Sequence, residues 1–363
     1  MRVAAVNADP GISPSRSKGA AVHLLEVRRA LRLTGAEVVE LDEPDSVTLG
    51  ARLAELHAAE PLDLIYERYA LGAYVGSLFA QENGIPHVLE VNAPLSEEAR
   101  RYRPEQAVDI DHEAERGVFS GADRIFAVST AVARFCIERG ARPERVECAA
   151  NAVDPDRFQP MEAAARSRLR EDLGIIHPDA ILVGFHGRVR PWHNLEALGR
   201  SVADTRQEGA RVHLLTVGEG DFETELIQHL GPAGMGTPWL HRPWADREEI
   251  ARLVACFDLL ALSYAPDEDF YFSPLKLLEA MAAGVPVVVP RLGDLPDWVE
   301  DGVEGVLVEP GDRNALTAAL RGLVADAGRR TRMGEAARAR ASSHSWESFA
   351  RRVLQVAGSG DRP

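Results

Sequence analysis

The sequence predicts an α/β protein built from two doubly wound domains in tandem. Three observations carry that reading. Short apolar runs of strand length alternate along the whole chain with polar stretches of helix length, the pattern of parallel sheets covered by helices. The alternation is interrupted once, at residues 151–160, where Asn, Asp and Pro dominate as in a linker. Finally, 363 residues, 45% of them hydrophobic and 27% charged, hold enough apolar material for two cores.

The first domain opens with a strand at 2–7 that runs into a loop of Asn7, Asp9, Pro10 and Gly11. From Gly19 the apolar spacing turns helical through Val22, Leu25, Val27, Leu31 and Leu33, and stops at Gly35. Strands are expected at 38–41, 62–66, 87–92 and 124–129, with Ser129 placed to cap the helix that follows. The second alternation gives strands at 181–185, 212–217, 239–241, 258–261, 285–289 and 306–308. The tail at 345–358 has helical spacing in Trp346, Phe349, Val353 and Val356. Domains are therefore expected at 1–165 and 166–344, with the helix at about 345–358 returning to the first. Doubly wound sheets bind ligands outside the carboxyl ends of their strands, so two Rossmann-like halves would share a site in the central cleft that they face.

Charge narrows the partners. Lys and Arg total 41 against 56 Asp and Glu, a net −15, which disfavours a nucleic-acid binder or docking on anionic lipid. Cys136, Cys148 and Cys256 are widely spaced and fit neither a disulfide framework nor a zinc site. The apolar stretch at 3–6 stops at Asn7, too short for a signal segment, and no run approaches membrane-span length. A cytoplasmic protein, monomer or homodimer, is expected. The histidines lack metal-ligand spacing, and no nucleophile elbow or P-loop occurs. Gly218-Glu219-Gly220 follows a strand but lacks the third glycine of a dinucleotide fingerprint, and reads as a tight turn. Nearly all the basic residues are arginine, which suggests a GC-rich bacterial coding background. Only two lysines occur, Lys18 and Lys276.

Three segments carry chemistry. At 269–284, Ser273 reads as an N-cap, Pro274 as the first helical residue and Gly284 as the stop, leaving backbone N–H groups at Leu275 and Lys276 as an anion site. Lys276 and Glu279 share one face of that helix amid apolar neighbours, where a lone pair of charges is costly unless something polar meets it. A nucleoside diphosphate suits both, with ammonium to phosphate and carboxylate to ribose. An ordinary surface ion pair is the competing reading. At 185–195, Arg188, Arg190 and His193 lie in a loop at a strand's carboxyl end, a candidate phosphate clamp against the alternative of a solvated loop. Ser17, Lys18 and Gly19 form a third, weaker phosphate-loop candidate before the first helix.

These segments, in this order, resemble the GT-B glycosyltransferases of family GT4, and the likeness covers nearly the whole chain. Lys18-Gly19 stands where that family has a glycine pair beside the diphosphate. The stretch from Ala122 to Ser129 is similar to its "aDrviavS" strand, and Asn151-Ala152-Val153-Asp154 with Phe158 and Pro160 to its "NGVD…F.P" linker. Gly187-Arg188 through His193 matches the loop whose Arg and Lys hold the diphosphate, and Glu279 through Pro286 matches "EAMA.G.P". Three positions depart from the pattern. The first Glu of E-x7-E falls on Tyr271, with Asp267, Glu268 and Asp269 as candidate replacements. His193 stands at the usual lysine, and Asn92 where many relatives carry a histidine.

The resemblance implies a retaining glycosyltransferase that uses a nucleotide-diphosphate sugar. Attack would come from the front side, with the donor phosphate taking the acceptor's proton and no protein nucleophile. Arg188 and Lys276 would be the catalytic cations, stabilising charge on the departing diphosphate with Lys18, Gly19, His193, Ser273, Pro274 and Leu275. With those groups in place no metal or other cofactor is expected. Glu279 would hold the ribose, and the loop with Arg242 and Trp244 would lie near the base. Asn92, Glu90, Asp269, Tyr271 and Phe272 would meet the donor sugar or a polar acceptor, with the stretch 97–103. Domain closure would exclude water. Two other readings are a nucleotide-sugar epimerase of the same architecture and a catalytically silent nucleotide-sugar-binding partner.

Overall fold

The computed structural model describes residues 1–12, 19–102, 111–177, 179–266, 270–273 and 275–358. The chain forms two compact units. The first comprises Met1–Asn151 together with Phe270, Tyr271, Phe272, Ser273 and the C-terminal helix Trp346–Gly358. The second holds the rest, from Ala152 to Ser345.

The first unit is a six-stranded parallel sheet of β1 (Arg2–Asn7), β2 (Glu37–Asp42), β3 (Leu64–Arg68), β4 (His87–Val91), β5 (Arg124–Ala127) and β6 (Val146–Cys148), ordered β2-β1-β3-β4-β5-β6. The expected strands at 2–7, 38–41, 87–92 and 124–129 are present. The third lies two residues later than its apolar run suggests, and so carries Glu67 and Arg68 inside the sheet. Short and centred on Glu147, β6 offers no apolar run to read. Register fixes the two faces. Ile65 pairs with His87 and Arg68 with Glu90, so Tyr66, Arg68 and Glu90 share one face while Glu67 and His87 share the other. The first face is covered by the helix Gly19–Leu33 and the C-terminal helix, with Phe349 5.4 Å from Phe126. Helix Thr130–Glu138, capped by Ser129 as expected, contributes Val132 and Phe135 to the core with Leu89, Val91 and Ile125.

The second unit is also six-stranded and parallel: β7 (Ile181–His186), β8 (Val212–Val217), β9 (Trp239–Arg242), β10 (Leu259–Ala261), β11 (Val287–Pro290) and β12 (Gly305–Val308). Its order, β12-β11-β10-β7-β8-β9, is the doubly wound order 3-2-1-4-5-6, and strand order reverses between β7 and β10. Phe185, Phe222, Trp239, Leu195 and Leu198 are fully buried in its core. Among the described residues no helix is long and apolar enough to cross a membrane.

Candidate active site

The reversal point of the second sheet is where its chemistry collects. β7 ends at His186, and the chain turns sharply through Gly187 at φ +106° into the loop of Arg188, Val189 and Arg190. No other residue takes that φ cheaply, and a Cβ there would come within 3.5 Å of the Lys276 side chain. The end of β8 crowds the same turn, since a Cβ on Gly218 would fall 2.5 Å from the Gly187 carbonyl oxygen. Gly218 and Gly220, both at positive φ, form the tight turn read from the sequence.

Lys276 and Glu279 stand on the helix Leu275–Ala282, which buries Leu277, Leu278, Ala280, Met281 and Ala282 and stops at Gly284 with φ +74°. Both side chains are half-buried. Lys276 Nζ lies 4.3 Å from the centre of the Phe185 ring and 3.1 Å from His193 Nε2. Burial pushes its ammonium down to about 7, with Glu279 pulling the other way. Glu279 Oε2 is 3.6 Å from His186 Nε2, a buried nitrogen with no hydrogen-bond partner among the described residues. Burial, reinforced by Lys276, lowers the His186 imidazole to about 3, so it stands neutral beside the carboxylate.

His193, expected with Arg188 and Arg190 in the candidate phosphate clamp, is buried. It is 6% exposed, and its Nδ1 accepts the Arg190 backbone N–H at 3.0 Å. Burial, then the charges of Lys276 and Arg190, lower it to about 2. The positive charge of the loop therefore rests on Arg188 and Arg190, both exposed. Arg188 pairs with Glu219 at 3.8 Å across open surface. Arg242 and Trp244 are exposed at and after the end of β9, and the Arg242 carbonyl accepts the Gly218 N–H.

In the first unit the expected residues divide. Asn92 follows β4, and its buried Nδ2 has no hydrogen-bond partner among the described residues. Glu90 is not available to a ligand in the way the sequence suggests. It is 4% exposed, with one carboxylate oxygen on His23 Nε2 and the other accepting from the Tyr66 hydroxyl at 2.5 Å. Burial alone would raise its pKa, but His23, Arg68 and Tyr66 hold it down to about 2. His23 Nδ1 in turn meets Asn151 Oδ1 at 2.7 Å. Ser273, expected as an N-cap, has its Oγ engaged by the Asn151 backbone N–H at 3.0 Å. Tyr271 hydrogen-bonds Glu98 and stacks near Phe272, with ring centres 4.3 Å apart. Gly19 opens its helix with open space where a Cβ would stand. Lys18, Asp267, Glu268, Asp269, Pro274 and Arg103 lie outside the described residues.

The buried line Tyr66–Glu90–His23–Asn151 and the Glu67–His87 pair, 2.9 Å apart on the other face, were not singled out as a network from sequence. The available signal was polar residues inside a segment that a doubly wound fold buries on both faces. Among the described residues no three His, Cys, Asp or Glu side chains gather as a metal site.

Comparison with known proteins bears on both units. Residues 180–326 match the family described as glycosyl transferases group 1, and residues 1–152 match the glycosyl transferase 4-like domain. A D-inositol 3-phosphate glycosyltransferase of Salinispora arenicola is 33% identical over 331 residues, covering 86% of this chain and 72% of the relative. One of the same name from Stackebrandtia nassauensis is 28% identical over 380 residues, covering 96% and 79%. Among solved structures, Anabaena HepE in complex with UDP and glucose is similar with a TM-score of 0.74 over 99% of this chain and 100% of that one, at 22% identity.

Proposed function

The chain belongs to the group 1, GT4-type glycosyltransferases, and from that premise we propose that it moves a sugar from a nucleotide diphosphate to a hydroxylated acceptor, with retention and without a metal ion. The second unit would hold the donor. Its diphosphate would lie at the start of the helix Leu275–Ala282, against the first-turn backbone N–H groups and Lys276, with Arg188 turning from Glu219 to meet it. Glu279, 3.6 Å from neutral His186, would take the ribose hydroxyls. The single observation that carries this reading is the meeting of Lys276, Glu279 and the Arg188 loop at the carboxyl end of β7, where the strand order reverses.

The chemistry asked of these residues is electrostatic. As the glycosidic C–O bond breaks, negative charge grows on the departing diphosphate, and cations already in place stabilise it more than they stabilise the intact donor. The phosphate oxygen released on the same face of the sugar would accept the acceptor's proton, so no side chain need act as nucleophile. In the first unit, the unsatisfied Nδ2 of Asn92 is the donor best suited to a sugar or acceptor hydroxyl. Relatives named for D-inositol 3-phosphate make a phosphorylated polyol the first acceptor class to try.

The test is thermal unfolding with UDP, GDP, ADP and dTDP, each with and without EDTA. A ligand that binds the folded chain raises the melting temperature by mass action, by about 2.7 kcal/mol of stability at a hundredfold excess over Kd. One diphosphate is expected to raise it selectively, unaffected by EDTA. No rise with any of the four would turn the reading toward a silent partner, and a rise abolished by EDTA would put a metal in the site.

A further inference from the structure

The hydrogen bonds around His193 fix the position of a proton, and that position bears on Lys276. The Arg190 backbone N–H points at His193 Nδ1 over 3.0 Å, so Nδ1 must present its lone pair. A neutral imidazole then carries its hydrogen on Nε2. Nε2 lies 3.1 Å from Lys276 Nζ, so an N–H donor faces the lysine at hydrogen-bonding distance. An ammonium has three donors and no lone pair, and would set hydrogen against hydrogen; an amine accepts the bond.

We infer that Lys276 is a neutral amine in the free protein, accepting the Nε2–H of His193, and that it takes up one proton when a nucleoside diphosphate binds. The inference rests on the donor site proposed above. The proton comes from solvent. On binding, the lysine lone pair forms the new N–H bond, the ammonium turns to the phosphate oxygens, and the His193 Nε2–H is released as a second, uncharged donor toward them. The position where the resemblance places a lysine would thus be served by a neutral N–H.

The groups facing Lys276 are balanced for such a change. From β7 and its loop come neutral His186, neutral His193 and the Phe185 ring, with Arg190 adding positive charge behind His193. Behind His193, from the segment after β10, stands the Tyr264 ring, 5.5 Å away, while the Ser263 hydroxyl holds the His193 carbonyl at 2.8 Å. On the lysine's own helix, Glu279 favours the charged form, as does the face of Phe185. Burial opposes both, and an arriving diphosphate reverses the balance.

The composition makes this measurable, because the full chain contains only two lysines. With 13Cε-lysine labelling the NMR spectrum has two lysine signals, and Lys276→Arg identifies which is which. The expected result is a Lys276 signal that titrates near neutrality in the free protein and far above it with UDP bound. Calorimetry in buffers of different ionisation enthalpy at pH 8 is expected to show about one proton taken up per UDP. Affinity should fall about tenfold per pH unit between pH 8 and 9. If UDP binds but Lys276 stays charged to pH 10 and no proton is taken up, the inference is wrong and the donor site stands. If none of UDP, GDP, ADP or dTDP binds or moves either lysine signal, the donor site fails and takes the inference with it.

Discussion

Lys276 and Arg188 would do similar electrostatic work from opposite surroundings, and that difference separates the effects of removing them. Arg188 is about half exposed, and its pairing with Glu219 at 3.8 Å lies in water, where such pairs contribute little. Arg188→Ala is expected to lower kcat/KM by about 100-fold, as the loss of one donor to the developing charge does, while stability moves by less than about 0.5 kcal/mol. Steady-state kinetics beside a denaturant melt check both halves. Lys276→Ala should cost turnover about 100- to 1000-fold with the protein still folded, and an unchanged rate would remove the lysine from the leaving-group role. Glu90 behaves differently, because its place is inside the first unit. Its carboxyl is held at about 2 in the folded chain, against an ordinary value near 4.5. A depressed folded pKa contributes stability that is complete above the unfolded value and is lost as pH falls from about 4.5 toward 2. The full shift corresponds to roughly 3 kcal/mol. Glu90→Gln should therefore be less stable at pH 7 and lose less on acidification than the parent, measured as denaturant midpoints from pH 7 to pH 3.

At the scale of elements, the turn after β7 decides whether the site residues meet. Gly187 sits at φ +106°, where an L side chain is strained. Gly187→Ala should destabilise the second unit by about 1–2 kcal/mol through its φ of +106° and also impair donor binding, because relieving that strain would shift the turn that carries Arg188. A melt and a UDP titration on the same variant read the two effects separately. The elements themselves were largely legible in sequence, because a strand covered on both faces leaves a continuous apolar run, as in β7 and β8. Where the run was broken by charge, legibility failed. The end of β3 is not legible because its apolar run stops at Tyr66 before Glu67 and Arg68, nor is β6, because Val146–Cys148 is centred on Glu147. The Lys276–Glu279 helix was readable from its own spacing and its glycine stop. His193 was not, because sequence gives its type and neighbours but not that Arg190 turns back to cap it. The part of Glu90 was hidden for the same reason: its partners His23 and Tyr66 lie 67 and 24 residues away.

At the scale of the molecule, the order of the chain and the order of its units disagree, and the C-terminal helix is where this matters. Trp346–Gly358 is joined covalently to the second unit but belongs to the first, where Trp346, Phe349, Ala350 and Val353 are buried. It packs on the helix Gly19–Leu33, and its aromatic rings close over His23, with Trp346 at 4.8 Å and Phe349 at 6.4 Å between ring centres. Arg352 reaches Glu147 on β6, tying the helix to the far edge of the sheet. Removing it would delete the buried Trp346, Phe349 and Val353, whose burial contributes about 1.5–3 kcal/mol each, and would open the surface they cover, the His23–Glu90 pair included, to water. That loss is comparable to the whole stability of an ordinary domain. A chain ending at Ser345 is therefore expected to lose the first unit while keeping the second, whose buried core of Phe185, Phe222 and Trp239 lacks any residue of that helix. Hydrogen exchange resolves the two outcomes. Amides of β1, β3 and β5 should lose protection in the truncated chain, and those of β7 and β8 should keep it. Equal protection in both units would mean that the first sheet is held by its own strands and remaining helices, and that the C-terminal helix merely lies on it.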